Sequence, residues 1–125
     1  MQQKRTTIYF PRPGETNTEQ TLELAKEVAQ REGIRSIVFA STRGYTAMKA
    51  LEICSEFNLI AVGSYRYRSN PDLTQKFEEG GGTRIFAYDD VSYDYPREVQ
   101  DAYRCFGGEG AKVAMEVALC AVRAG

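Results

Sequence analysis

The chain has 125 residues, 42% of them hydrophobic and 26% charged, with a formal net charge of −1. That is the profile of one globular domain, residues 1–125, with too little excess charge to argue for a nucleic-acid or anionic-membrane partner. No run approaches the roughly 18 apolar residues of a membrane helix, and Met1 to Arg5 lead into polar sequence without an apolar signal core, so a soluble, cytoplasmic protein is expected. Three widely spaced cysteines (Cys54, Cys105, Cys120) suit neither a disulfide framework nor a zinc site, and the chain has no histidine at all. Catalysis by a Ser-His or Cys-His pair is thereby excluded.

In chain order, Thr6 to Phe10 is β-prone and is closed by Pro11-Arg12-Pro13-Gly14, which suits an edge strand or an extended arm. Thr16 and Glu19 have capping-box spacing, with Asn17 and Thr18 as rival caps. They open a helix from about Asn17 to Glu32 whose Leu22, Ala25, Val28 and Ala29 share a face, with Gly33 as its stop. Ile34 to Ala40 reads as a buried strand.

Ser41-Thr42-Arg43-Gly44 then turns into a helix beginning at Tyr45-Thr46. This stretch organises the rest. A helix start presents unpaired N–H donors and a partial positive charge, Ser41, Thr42 and Thr46 add hydroxyls, and Arg43 adds a charge suited to phosphate. The same pattern also serves an ordinary βα turn in which Ser41 or Thr42 caps the helix.

The apolar stripe Ala47, Met48, Ala50, Leu51, Cys54 carries that helix to about Phe57, and Leu59 to Gly63 is the next buried strand. Alternating helices and strands argue for parallel crossovers in an α/β sheet. Ser64-Tyr65-Arg66-Tyr67-Arg68 extends that strand as a loop. Its aromatic and basic alternation suits base stacking, a ligand lid or plain surface, and two arginines make a poor nucleic-acid patch. A short helix is expected over Asn70 to Glu79, stopped by Gly80-Gly81-Gly82, then a strand over Thr83 to Tyr88. Asp89-Asp90 beyond it suits either a divalent cation or a turn cap, and with no further ligands at recognisable spacing no metal is expected.

Tyr93 to Pro96 form an irregular aromatic loop before a helical segment around Arg97 to Cys105, and Phe106-Gly107-Gly108-Glu109-Gly110 lead into Ala111 to Val122. Apolar positions nearly encircle that last helix, as in a buried element or a subunit interface.

Three stretches carry a family resemblance: Ile8-Tyr9-Phe10 with Asn17-Thr18-Glu19; the turn Ala40 to Ala47; and Phe106 to Ala118. Together, about half the chain, they resemble the pyruvate kinase C-terminal-domain-like family of small stand-alone proteins. The resemblance implies a three-layer α/β/α sandwich around a mostly parallel, mixed sheet, with no pyruvate kinase active site. It implies phosphate contacts at Ser41, Thr42, Gly44 and Thr46, and its members include proteins that bind flavin mononucleotide (FMN) without an established reaction. Family members have a longer middle region and continue past a position like Gly125 into another strand and a second glycine-rich turn.

The expected function is binding of a phosphorylated small molecule, a nucleotide or FMN, by Ser41, Thr42, Arg43, Gly44 and Thr46 with Ser64, Tyr65 and Arg66 from the neighbouring loop. Two other readings stay open: an enzyme acting on a phosphorylated metabolite through Asp89, Asp90 or Lys112, and an interaction module working through the last helix. A sheet this small gives that helix little cover, so a homo-oligomer is expected.

Overall fold

The computed structural model describes all 125 residues. Its centre is a three-stranded sheet of β1 (Ser36–Ala40), β2 (Asn58–Gly63) and β3 (Thr83–Phe86), in spatial order β1-β2-β3 and parallel throughout. The mixed sheet implied by the family resemblance is therefore not present; no antiparallel strand joins these three. Around the sheet lie α1 (Thr18–Glu32), α2 (Tyr45–Ile53), α3 (Pro71–Glu79), the single turn α4 (Ala87–Asp90) and α5 (Arg97–Ala124).

Alternation along the strands divides the core in two. Ile37, Phe39, Leu59 and Ala61 face one side, where Leu22, Ala47, Ala50, Cys54 and Phe77 from α1, α2, α3 and the turn after α2 pack on them. Val38, Ile60, Val62 and Ile85 face the other, against Val117 and Cys120 of α5. Helices thus cover both faces, as an all-parallel sheet requires. Burial raises the pKa of the Cys54 and Cys120 thiols, while Cys105 is exposed.

Several boundaries differ from expectation, each for a local reason. Thr6 to Phe10 pairs with no strand and forms no regular element, and Arg5 just before it pairs with Glu32 (3.6 Å). The capping box does not form: Glu19 takes the Lys49 ammonium at 2.8 Å instead, and Asn17 Nδ2 donates to the Arg12 carbonyl. Helix α2 ends at Ile53, not near Phe57. Cys54 and Phe57 keep the helical spacing because the turn they form packs on the same core, and burial rather than helicity sets the period. Strand β3 ends at Phe86, two residues early, because Asp90 Oδ2 accepts the Phe86 N–H at 2.7 Å and curls Ala87 and Tyr88 into α4. The glycine turn before the last helix appears as a break inside α5. Gly107 and Gly108 leave helical geometry, and Gly108 adopts φ 76, ψ −169, open in practice only to glycine.

Candidate functional site

Because all three strands run the same way, the segments after Ala40, Gly63 and Phe86 emerge on one edge of the sheet. They are laced together there. Ser41 N–H donates to the Val62 carbonyl (2.8 Å), Tyr88 N–H to the Ser64 carbonyl (3.1 Å), and Arg66 N–H to Asp89 Oδ2 (2.7 Å).

The turn between β1 and α2 has a one-sided polarity. Its carbonyls point inward: Thr42 O accepts from Arg84 Nη2 (2.9 Å), Arg43 O from Asn70 N–H (3.1 Å) and Gly44 O from Met48 N–H (3.1 Å). Its amides do not find protein acceptors. Thr42, Arg43, Gly44, Tyr45 and Thr46 donate no N–H bond to backbone or side chain, whereas the next amide, Ala47, donates to the buried Ser41 hydroxyl at 3.3 Å. Five successive open N–H groups thus stand at the start of a nine-residue helix, donors of the kind a helix start can offer to an anion.

Gly44 makes this backbone path possible. Its φ of 119 is closed to L side chains, and an added Cβ would lie 2.9 Å from Leu73 Cβ.

Above the turn lies an open hollow of about 440 Å³, walled by Ser41 to Thr46 and, opposite, by Gly14, Glu15 and Thr18. The amino end of α1 therefore meets that of α2, and two helix dipoles present their positive ends to the same space. Thr42 and Arg43 are exposed, and Arg43 makes no ion pair. Exposed Glu15 is the one carboxylate on the rim.

Behind the turn stands Arg84, a residue that pattern reading passes over as part of a β-prone run. It is only 8% exposed, has no ion pair, and leaves Nε and Nη1 without hydrogen-bond partners. Burial lowers its pKa, opposed by Glu78 and reinforced by Arg66. Register explains its position: Arg84 pairs with Ala61 and lies on the α2–α3 side, where its guanidinium reaches the turn. A lone arginine in a strand of a buried parallel sheet was the available signal.

The second loop is placed differently from the first. Ser64 lines a separate cleft and not the hollow above the turn, although Ala40 and Thr42 border both. Tyr65 is stacked between Tyr88 (4.5 Å) and Tyr67 (5.3 Å), which occupies its ring with neighbours. Arg66 lies over the Phe86 ring at 4.4 Å, pairs with Asp90 (3.2 Å), and borders a third, shallow hollow with Tyr67 and Asp89. The three loops share an edge and meet in one cleft, lined by Thr42, Ser64 and Tyr88, while the Thr42–Thr46 turn and the Arg66–Asp89 pair border two further hollows.

Asp89 and Asp90 both hold loop structure, and Lys112 is held by Glu109 (2.6 Å) and Glu116 (3.5 Å). No cluster of three or more cysteine and carboxylate side chains gathers around a possible metal position. No helix is long and apolar enough to cross a membrane.

Fold and turn together define an α/β domain with a three-stranded parallel sheet and an amide-lined turn at its carboxyl edge. No protein-family model matches the chain.

Proposed function

We propose that this protein binds a small phosphorylated ligand, of the nucleotide or flavin mononucleotide kind, at the turn Thr42 to Thr46. The observation that carries this reading is the run of five open amides, with the Thr42, Arg43 and Gly44 carbonyls taken up by donors within the protein. Buried, unpaired Arg84 behind the turn is the second support, since an uncompensated guanidinium is costly unless an anion answers it. The resemblance to the pyruvate kinase C-terminal-domain-like family points to the same residues and adds FMN as a ligand. Binding is favoured over catalysis because Asp89, Asp90 and Lys112 are spent on internal contacts.

Thermal unfolding with ribose 5-phosphate and with ribose separates this reading from a structural turn. A ligand at 100 times its Kd raises stability by about 2.7 kcal/mol, so ribose 5-phosphate should raise the midpoint and ribose should not. Thr42→Ala and Thr46→Ala should each weaken the phosphorylated ligand by about 0.5–1.5 kcal/mol per neutral hydrogen bond lost. Arg43→Ala should cost more at low salt than at high salt. Equal effects of the sugar and its phosphate would sink the proposal.

A second reading, self-association, is favoured by the first half of α5. Val99, Tyr103 and Phe106 follow one another at helical spacing on an exposed stretch, and Phe106 is 91% exposed. Light scattering should give a dimer or larger species for the native chain and a smaller one for Phe106→Lys. A native monomer at micromolar concentration would rule this out.

A further inference from the structure

Strand β1 pairs with β2 alone and has an open side. Arg35 O accepts from Asn58 N–H (2.8 Å) and Ser41 N–H donates to Val62 O (2.8 Å), so in this parallel ladder Arg35, Ile37, Phe39 and Ser41 turn their backbone groups to β2. The N–H and C=O groups of Ser36, Val38 and Ala40 point the other way and meet no strand. Ser36 and Ala40 are exposed, and Ile37, Val38 and Phe39 are only half-buried. Such an edge is a template for one more strand.

The helix layer indicates which strand belongs there. Helix α2 connects β1 to β2 and α3 connects β2 to β3, both on the face that α1 also covers, and α2 lies between α1 and α3. Helix α1 is therefore displaced toward the open side of β1. Each crossover moves the chain one strand further in the same direction with its helix on the same face, so a strand preceding α1 belongs beside β1 on that open side.

The segment preceding α1 is Thr6 to Phe10, as long as β1, β-prone and unpaired. The Arg5–Glu32 ion pair puts its start near the end of α1, shortly before β1. Gly14 borders the same hollow as Ala40, which puts the other end of this stretch beside the end of β1. It runs in the direction of β1, the sense a parallel strand requires. Ile8 and Phe10 alternate with Thr7 and Tyr9, as on a strand covered on one face, and Pro11 and Pro13 suit the end of an edge strand.

We propose that Thr6 to Phe10 is a strap that closes onto β1 as a fourth parallel strand, taking up the backbone groups of Ser36, Val38 and Ala40 and keeping that edge from pairing with a second copy of the chain. The structure holds the strap open. Asn17 Nδ2 donates to the Arg12 carbonyl at 2.6 Å and anchors the chain there, so only the residues before Arg12 need move.

Amide hydrogen exchange of the full chain, followed by NMR, tests the strap. The Val38 and Ala40 amides should exchange about tenfold or more slowly in the native chain than in at least one of Ile8→Pro and Tyr9→Pro. Neighbouring residues of a strand face opposite edges, so one of these two prolines removes a donor to β1. A chain lacking residues 1–10 should lose the same protection. The Ile37 and Phe39 amides, which face β2, should stay protected in every variant, because the strap lies outside both halves of the core. Free exchange of Val38 and Ala40 in the native chain would overturn the proposal, and so would protection that survives both prolines and the deletion. Protection that appears only as protein concentration rises, together with a dimer in light scattering, would give the edge to a second copy and overturn it as well.

Discussion

Replacing Arg84 by methionine should leave the unliganded protein as stable as the native chain, or more stable by about 1–2 kcal/mol, and should weaken ribose 5-phosphate more than tenfold. The two effects have one origin. Arg84 is 8% exposed, lacks a carboxylate partner and leaves two donor nitrogens unsatisfied, so the empty protein carries much of the guanidinium's desolvation cost. Methionine fills similar space without a charge. What is lost is the Nη2 bond to the Thr42 carbonyl, about 1 kcal/mol, and the attraction of Arg84 over the Phe86 ring, about 0.5–1 kcal/mol. On the proposed reading, a phosphate held at the turn in front of Arg84 would reverse the balance by supplying the missing negative charge where screening is weak. Urea unfolding and calorimetric titration of the same preparations measure both quantities. A methionine variant that is more than about 2 kcal/mol less stable yet binds normally would make Arg84 a structural residue.

Gly44→Ala should destabilise the domain by about 2–6 kcal/mol. A backbone held at φ 119 with a side chain attached costs about 1–3 kcal/mol. Forcing a Cβ to within 2.9 Å of Leu73 Cβ adds an overpacking cost of about 1–3 kcal/mol, because α3 must shift away from the turn. For a domain of this size the melting midpoint should fall by roughly 10 °C or more, as scanning calorimetry would read it. Removing the neighbouring side chain, its Cβ included, separates the two costs. In the Gly44→Ala background, Leu73→Gly should cost less than it does in the native chain, since contact and clash disappear together. A loss below about 1 kcal/mol for Gly44→Ala would mean that residue 44 relaxes to another conformation, and the amide seat would then owe nothing to the glycine.

Most elements were legible as chain-local signals. The apolar, β-branched runs at Ile37 to Ala40 and Leu59 to Gly63 are both strands, although only β2 is largely buried and β1, at the sheet edge, has no fully buried residue, and Asn70 before Pro71 stands at a helix start that its side chain caps, accepting from Asp72 and Leu73 N–H. Where the local reading failed, some competing partners were distant in sequence and others near. Glu19 left its capping role for Lys49, thirty residues away. The Asp89-Asp90 pair, open between a cation site and a turn cap, joins the Arg66 backbone and side chain and ends β3.

By itself the sequence determined the alternation of helices and strands, the parallel sheet that follows from it, and the turn at Ser41 to Thr46, because hydrophobic period, glycine placement and hydroxyl content act over a few neighbouring residues. Only the tertiary structure decided which way that turn's polar groups point. Its carbonyls face inward because Arg84 and Asn70, from β3 and the start of α3, meet them there, and its amides are left open as a consequence. It also turned Tyr65 and Arg66 away from that turn, while Ser64 stays beside Thr42 in one cleft. Stacking of Tyr65 with Tyr88 and pairing of Arg66 with Asp90 need chain segments that meet only after the β2–β3 register is set, and no local pattern encodes that meeting.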